Sequence, residues 1–196
     1  MEEEIARVAD PQRIRALAHP LRIELIEVLG AEGEATATRC AEITGESVAS
    51  CSFHLRMLAK YGFVEPGAPR GREKPWRLAA RTRRFGTDAD DPASVQAIQE
   101  WAAVVVEREA DRLREWIARV AAEPQEWVEA CRLNTSTFWA TPEEAAQVSQ
   151  ALSELTDRFA RRRDDPASRP PGARPVRLFG AVSVDPHWSR AEEEPS

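Results

Sequence analysis

Residues 36–64 read TATRCAEITGESVASCSFHLRMLAKYGFV, and a basic Gly/Pro loop and PWRLA at 75–79 follow. A short helix is predicted from about Arg39 to Ile43, and Gly45 then makes a turn. Ser47 is a good N-cap for a second helix that runs to Tyr61. Gly62 follows at the C-terminus, where glycine adopts the left-handed conformation without steric penalty. Two helices joined by a tight turn that contains glycine predict a helix-turn-helix.

The second helix, residues 47–61, has two different faces. At 100° per residue, one face collects the mostly apolar side chains Val48, Cys51, Ser52, Leu55, Leu58 and Ala59. The other face carries Ala49, Ser50, Phe53, Arg56, Met57 and Lys60, with His54 and Tyr61 at its edge. An apolar stripe opposite a small, polar and cationic face is typical of a helix that lies in a DNA major groove.

A hairpin is predicted after this helix. Residues 63–65 and 76–78 are short strand candidates, and the loop 66–75 between them carries Arg70, Arg72 and Lys74 against one acid, Glu73. Residues 35–36 are expected to add a short strand beside the hairpin. Such a basic loop favours a wing that contacts the DNA backbone or the minor groove.

Two motifs identify a resemblance to a known family. LAHPLR at 17–22, and SFHLRML at 52–58 followed by YGFV at 61–64, are similar to the opening and the recognition-helix signature of ArsR/SmtB-type winged-helix repressors. The similarity spans roughly residues 10–85, so the C-terminal region is an extension outside the family's minimal form. The resemblance implies a homodimeric transcriptional regulator whose ligand or metal alters its hold on an operator.

Charge is distributed unevenly along the chain. The net charge is −6, but residues 36–86 hold ten Lys/Arg against four Asp/Glu, which leaves seventeen basic and twenty-nine acidic residues elsewhere. One cationic surface on an otherwise acidic protein is what binding to a polyanion requires.

The sequence also predicts where the protein is located. Its acidic first residues are unlike a signal peptide, no apolar run reaches the length of a membrane span, and the three cysteines are odd in number. A cytoplasmic protein without a disulfide scaffold is therefore expected.

The fold class expected for the whole chain is mainly α with a small β component. Asp10-Pro11 predicts a first helix start, His19-Pro20 a break, and Pro20–Leu29 a second helix. Residues 93–122 contain no proline or glycine and predict a helix of about 45 Å. We expect a winged helix-turn-helix domain at 1–86, a long dimerisation helix at 87–123, and a strand–helix–strand dimer or effector region at 124–196 with a disordered tail.

Two strands and one helix are predicted in that last region. Residues 127–139 and 176–184 alternate in polarity, which indicates strands. Thr141-Pro142-Glu143-Glu144 is a capping box with proline at the first helical position, so a helix is expected from there to about Arg163.

The candidate functional residues fall into three sets. DNA contacts are predicted for Ser47, Ser50, Phe53, His54, Arg56, Lys60, Arg70, Arg72 and Lys74. Dimer contacts are predicted for Ile98, Trp101, Val105, Leu113, Trp116 and Val120, with packing on the chain's own C-terminal half as the alternative. A possible apolar effector pocket is predicted around Trp101, Trp116, Trp127 and Trp139, with ordinary core packing as the alternative.

No metal, cofactor or catalytic group is expected. His19, His54 and His187 and the cysteines Cys40, Cys51 and Cys131 are scattered, whereas a zinc site needs about four converging ligands. No nucleophile–base pair or phosphate-binding glycine loop is present. The partners expected are therefore an operator in double-stranded DNA, a second copy of the chain and a small-molecule effector, and no membrane. The alternative is a protein-interaction module that uses the winged helix as a scaffold.

Overall fold

The computed structural model describes residues 6–8, 10–68, 74–80, 83–85 and 88–189. It divides the chain into two compact units, Met1–Arg114 with Arg163–Pro166, and Glu115–Arg162 with Ala167–Ser196. Each unit is described separately below.

The first unit begins with four helices. They are α1 (Pro11–Arg15), α2 (Pro20–Glu32), α3 (Ala37–Thr44) and α4 (Val48–Lys60). Local signals set their ends: Asp10 and His19 cap α1 and α2 by accepting from backbone N–H groups, and a proline follows each cap. The predicted break at His19-Pro20 is confirmed, while α2 continues past Gly30 to Glu32 and ends at Gly33.

A three-stranded antiparallel sheet stands beside these helices. The strands β2 (Glu34–Ala35), β3 (Val64–Pro66) and β4 (Trp76–Leu78) lie in the order β2-β4-β3. Pro66 is tolerated because β3 is an edge strand. The register pairs Ala35 with Trp76 and Val64 with Leu78. The predicted wing hairpin and the short strand beside it are confirmed.

A second strand pair was missed. Strand β1 (Ala6–Val8) runs parallel to β5 (Arg83–Phe85), and Val8 is buried. The sequence analysis predicts no strand at either position. Parallel pairing joins residues far apart in sequence, so no local pattern reveals it.

The core of the first unit lies between α2, α3, α4 and the sheet. Its fully buried side chains include Ile14, Leu25, Leu29, Leu55, Leu58 and Phe63. Cys40 and Cys51 are also fully buried and pack as small apolar groups. The sequence predicts Val48 on this core face of α4, but Val48 is 47% exposed, and the buried stripe of the helix begins at Cys51.

The long helix α5 (Pro92–Arg119) continues into a 3-10 turn at Val120–Ala122, so the predicted helix at 93–122 is confirmed. Its first half packs on the core of the first unit through Ala97, Ile98 and Trp101. Farther along, Arg108 contacts Glu24 at 3.5 Å and Glu27 at 3.6 Å on α2. Arg112 joins Glu27 to Glu109, whose carboxylate is buried. These ion pairs attach α5 to α2.

The second unit contains α6 (Gln125–Ala130), α7 (Pro142–Glu154) and α9 (Pro186–Ser189). The helix α8 (Ala160–Asp164) lies at the boundary of the two units. The predicted capping box of α7 is confirmed: Thr141 accepts from the Glu144 N–H, and the Glu144 carboxylate accepts from the Thr141 N–H. This helix ends at Glu154 rather than continuing to Arg163, and a 3-10 turn follows at Asp157–Phe159.

The two strands predicted in the C-terminal region are wrong for the single chain. Residues 125–130 are helical, and residues 131–141 and 173–185 carry neither helix nor strand assignment. The alternation of polarity is present, but a strand also requires a neighbour to receive its backbone hydrogen bonds. No element of the described chain provides that neighbour.

Candidate nucleic-acid interface

Helix α4 exposes the face that the sequence predicted to contact DNA. Phe53 is 54% exposed, and the side chains of Arg56 and Lys60 are exposed one and two turns farther along. Ser50 is half-buried on the same side. The opposite side of the helix is held in the core by Cys51, Leu55 and Leu58. The helix is therefore anchored by one face and open on the other.

Two cations of this surface have only weak interactions with the described residues. The Arg56 guanidinium donates to the Ser52 hydroxyl at 3.1 Å. The Lys60 ammonium lies 5.6 Å from the centre of the Tyr61 ring. Neither contact neutralises the positive charge, so both side chains are available to an anion.

Other basic residues nearby are already paired with acids. Arg39 on α3 contacts Glu32 and Glu42, each at 3.2 Å. Arg77 on β4 contacts Glu65 on β3 at 2.7 Å. These pairs mean that the count of basic residues overstates the positive charge free to meet a polyanion.

Lys74, at the end of the wing, is exposed, while Arg70 and Arg72 lie outside the described residues. The following Pro75 is buried, and its carbonyl accepts from the Gly67 N–H at 2.8 Å. The base of the wing is thus closed by a backbone hydrogen bond between its two arms.

Ser47 has a structural role that the sequence also predicted. Its hydroxyl accepts from the Ser50 N–H at 3.1 Å and so caps the N-terminus of α4. This bond satisfies one of the amide groups that a helix start leaves unpaired. Ser47 remains exposed at the start of the helix.

His54 packs against a second histidine. Its ring centre lies 4.4 Å from that of His19, and the edge of Phe53 completes the group. Burial lowers the pKa of both imidazoles, and the nearby Arg22 guanidinium lowers each further. His54 is therefore a packed neutral residue at the rim of the α4 face. No pattern in the sequence predicts its pairing with His19.

The cysteines and the histidines form no metal centre in the described chain. No group of three or more His, Cys, Asp or Glu side chains converges among the described residues. Burial raises the pKa of the Cys40 thiol to about 11, which keeps it in the unreactive protonated form at neutral pH.

The predicted dimer residues on α5 are placed differently from one another. Ile98 and Trp101 pack on the core of their own chain, and Val105, Trp116 and Val120 are half-buried. The more exposed apolar stripe consists of Val106, Leu113 and Ile117, which are 55%, 38% and 51% exposed. Spacings of seven and four residues place these three on one helical face. The predicted dimer contacts do not include Val106 and Ile117, although their spacing from Leu113 could have identified them from the sequence.

The four tryptophans of the predicted effector pocket also differ in their surroundings. Trp101 contacts the core of the first unit. In the second unit, Trp127 lies under the Arg174 guanidinium, 4.9 Å from the ring centre, and Trp139 is 83% exposed. A cavity of about 310 Å³ in the second unit is lined by other residues, among them Ser149, Leu152, Leu178 and Val182.

Comparison with known proteins agrees with this architecture. Residues 17–66 match the family described as a helix-turn-helix domain. None of the curated proteins compared with the chain matches it. No helix among the described residues has the length and apolar character needed to cross a membrane.

Two groups of solved structures are similar to the chain. One is the homodimeric winged helix-turn-helix DNA-binding domain of Mb0332 from Mycobacterium bovis, titled a possible ArsR-family transcriptional regulator. It is 24% identical over 50% of this chain and 77% of that one, with a TM-score of 0.33. The other is an apo-form variant of ZitR from Lactococcus lactis, 20% identical over 73% of this chain and 83% of that one, with a TM-score of 0.31. Similarity at this level carries no information about partners or ligands.

Proposed function

We propose that this chain, whose residues 17–66 form a helix-turn-helix domain of a recognised family, is a homodimeric, sequence-specific DNA-binding transcriptional regulator. The observation that carries the proposal is the open face of α4. It presents Ser50, Phe53, Arg56 and Lys60 outward, and the same helix is anchored in the core from its other side. An α-helix with this exposure fits the width of the DNA major groove.

The roles within this surface follow from chemistry. Arg56 is the candidate for a bidentate contact to a guanine edge or for a phosphate contact, and Lys60 is a phosphate candidate. Phe53 is placed to touch a thymine methyl group. The wing residues Arg70, Arg72 and Lys74 are assigned to phosphates or the minor groove, with only Lys74 among the described residues.

The homodimer would place two α4 helices on successive half-sites, roughly 34–36 Å apart. Repression is the expected mode of regulation, because a dimer bound at a promoter excludes polymerase without further contacts. A small-molecule effector bound in the C-terminal region, at the tryptophans or in the cavity beside α7, would change the affinity of the protein for DNA. The proposal places this protein in the cytoplasm, together with its DNA operator.

The first prediction concerns Arg56. Replacing Arg56 by Ala should weaken binding to the chain's own upstream DNA by about 1–3 kcal/mol if the side chain reads a base. If it contacts a phosphate, the slope of log affinity against log salt should decrease in magnitude by about 0.9. Fluorescence anisotropy titrations at several salt concentrations distinguish the two.

Arg114→Ala is the matched control for this measurement, because Arg114 is exposed on α5 and paired with Asp111 at 2.6 Å. It should bind DNA as the unchanged protein does. Equal binding by Arg56→Ala and Arg114→Ala, with both folded, would contradict the proposal. Weak, sequence-independent binding together with a specific copurifying protein would favour the protein-interaction alternative.

A further inference from the structure

Three side chains beside α4 carry hydrogen-bond donors that no acceptor of the described chain receives. They are Arg22 of α2, His19 at the N-cap of α2, and His54 of α4. The two imidazole rings are in contact, with their centres 4.4 Å apart. The Arg22 guanidinium lies close enough to both rings to lower the pKa of each. The three groups therefore form one cluster where α2 packs on α4.

The surroundings of each histidine decide which ring nitrogen carries the proton. In His19, Nδ1 accepts from the Leu21 N–H at 3.2 Å, so the proton of the neutral ring is on Nε2. In His54, Nδ1 is buried and has no hydrogen-bond partner among the described residues. A proton there would be a buried donor without an acceptor, so the proton of His54 also belongs on Nε2. Neither Nε2–H group donates to a described residue.

Arg22 is a half-buried cation without an acidic partner in the described chain. Its Nε is buried and makes no hydrogen bond with the described residues. Burial lowers the pKa of its guanidinium, and the neighbouring group that opposes this is Tyr61, which is not a carboxylate. Glu46, the acid that acts on both imidazoles, is exposed in the turn before α4. A cation that has lost water and has no counter-charge is stabilised by an anion from outside the chain.

The cluster lies at the edge of the α4 face that the proposed function places in the DNA major groove. His54 follows Phe53, which is 54% exposed, and their rings meet edge to face with centres 5.1 Å apart. One step along a helix turns the side chain by about 100°, so His54 points to the side of the groove and not to its floor. Because the groove is about 12 Å wide and a helix about 10–12 Å across, a side chain at this angle meets the sugar–phosphate backbone.

We propose that Arg22, His19 and His54 together bind a backbone phosphate of the operator beside the groove that α4 occupies. This inference rests on the proposed function, and it adds contacts from α2 to those from α4 and the wing. The sequence analysis predicts a DNA contact for His54 but for neither Arg22 nor His19. The guanidinium supplies the positive charge, and the two Nε2–H groups donate to phosphate oxygens while their rings stay neutral. Such a contact fixes the register of α4 on the duplex without reading a base.

Ethylation interference on the chain's own upstream DNA tests the contact one phosphate at a time. Arg22→Met keeps the apolar stem of the side chain and removes its charge. This variant should become insensitive to ethylation at one phosphate of each half-site and keep the rest of the pattern. Its affinity for DNA should fall by at least about tenfold. The slope of log affinity against log salt should decrease in magnitude by about 0.9 for each half-site bound.

Two further variants separate this contact from a loss of structure. Arg15→Met is the matched control, because Arg15 is exposed on α1 and lies 3.7 Å from Glu100. It should keep the ethylation pattern and the salt slope of the unchanged protein. Arg22→Lys keeps the charge, so it should keep the slope as well. Circular dichroism and hydrogen exchange of the α4 amides show whether each variant is folded.

The outcomes distinguish this inference from the proposed function. If the unchanged protein binds specific DNA and Arg22→Met has the same pattern and slope as Arg15→Met, the phosphate contact is refuted and the regulator stands. If the unchanged protein binds no specific DNA, the proposed function fails, and this assignment of the cluster fails with it.

Nitrogen-15 spectra of the imidazoles test the donors directly, because the chain has 3 histidines. At pH 7.5, His19 and His54 should both carry the proton on Nε2. Operator DNA should shift both Nε2 signals and leave those of His187, which is exposed, unchanged. A proton on Nδ1 of His54, or rings that do not respond to DNA, would overturn the proposal. Inorganic phosphate is the probe for another source of the anion. If it shifts both rings while Arg22→Met binds DNA normally, the cluster takes free phosphate and the DNA contact is refuted.

Discussion

At the scale of single residues, the contact between His19 and His54 links the fold to pH. His19 caps α2 through its Nδ1, which accepts from the Leu21 N–H at 3.2 Å, and its ring packs on His54 of α4. Arg22 lies near both rings, and Glu46 opposes its effect on both. The pKa of each imidazole is therefore lowered where α2 meets α4, which favours the neutral form.

This arrangement predicts a loss of stability in mild acid. Because burial and Arg22 lower the folded-state pKa of both histidines from 6.5, the unfolded chain binds protons first as pH falls. The free energy of unfolding should be fully present above pH 6.5 and should decrease as pH falls toward the folded-state pKa. Thermal unfolding at pH 7.5 and pH 5, followed by circular dichroism, measures this decrease.

The variant His19→Asn tests which residue is responsible. Asparagine retains an N-cap acceptor but does not titrate, so the fall in melting temperature between the two pH values should be smaller. His187→Asn, at an exposed position of the second unit, should leave the fall unchanged. An identical pH dependence in His19→Asn and the unchanged protein would show that the pair is not the cause.

At the scale of elements, helix α4 depends on its N-cap. Ser47 is both the N-cap of α4 and a predicted DNA contact, and substitution separates the two roles. Ser47→Ala should lower the free energy of unfolding by about 0.5–2 kcal/mol. Ser47→Asp keeps the cap and places a negative charge at the positive end of the helix dipole, so stability should be maintained.

DNA binding should respond in the opposite order. The carboxylate of Ser47→Asp would face the phosphates, so its affinity for DNA should fall below that of Ser47→Ala. The measurement is anisotropy at a temperature where both variants are folded. Thr141→Asp, at the corresponding cap of α7, is the control and should bind DNA normally. Tight DNA binding by Ser47→Asp would place the start of α4 away from the backbone.

The elements also show how far local patterns reach. Caps, prolines and the positive φ of 72° at Gly62 are local, so the ends of α1, α3, α4 and α7 follow from neighbouring residues. The strand pair β1–β5 and the absence of C-terminal strands in one chain depend on distant partners. On the outer face of α4, Arg56 and Lys60 are exposed, as the helical spacing predicts. The ion pairs that Arg39 and Arg77 form with acidic residues could not be predicted from the sequence.

At the scale of the whole molecule, dimerisation is the remaining prediction. Val106→Glu introduces a charge into the exposed stripe of α5, which is solvent-accessible in one copy. If a second copy covers the stripe, this charge should shift the protein toward monomer and lower affinity for a two-half-site operator while single half-site binding persists. Sedimentation equilibrium and anisotropy measure the two effects.

Ala118→Glu supplies the matched control. It adds the same charge at an exposed position about 120° round the helix from Val106, and it should leave the dimer intact. If Val106→Glu dimerises as well as Ala118→Glu, the stripe is not the interface. A dimer would then depend on a different surface.

The amino-acid sequence by itself determined the winged helix-turn-helix domain, because caps, glycine turns and a 3.6-residue apolar period act between residues close together in the chain. Only the tertiary structure decided which apolar residues of α5 serve their own core and which stay open. It alone also brought His19 against His54, and it left residues 131–141 and 173–185 outside any strand of the described chain. Those outcomes depend on contacts between distant residues, where a given side chain is buried or exposed according to what the rest of the fold places beside it.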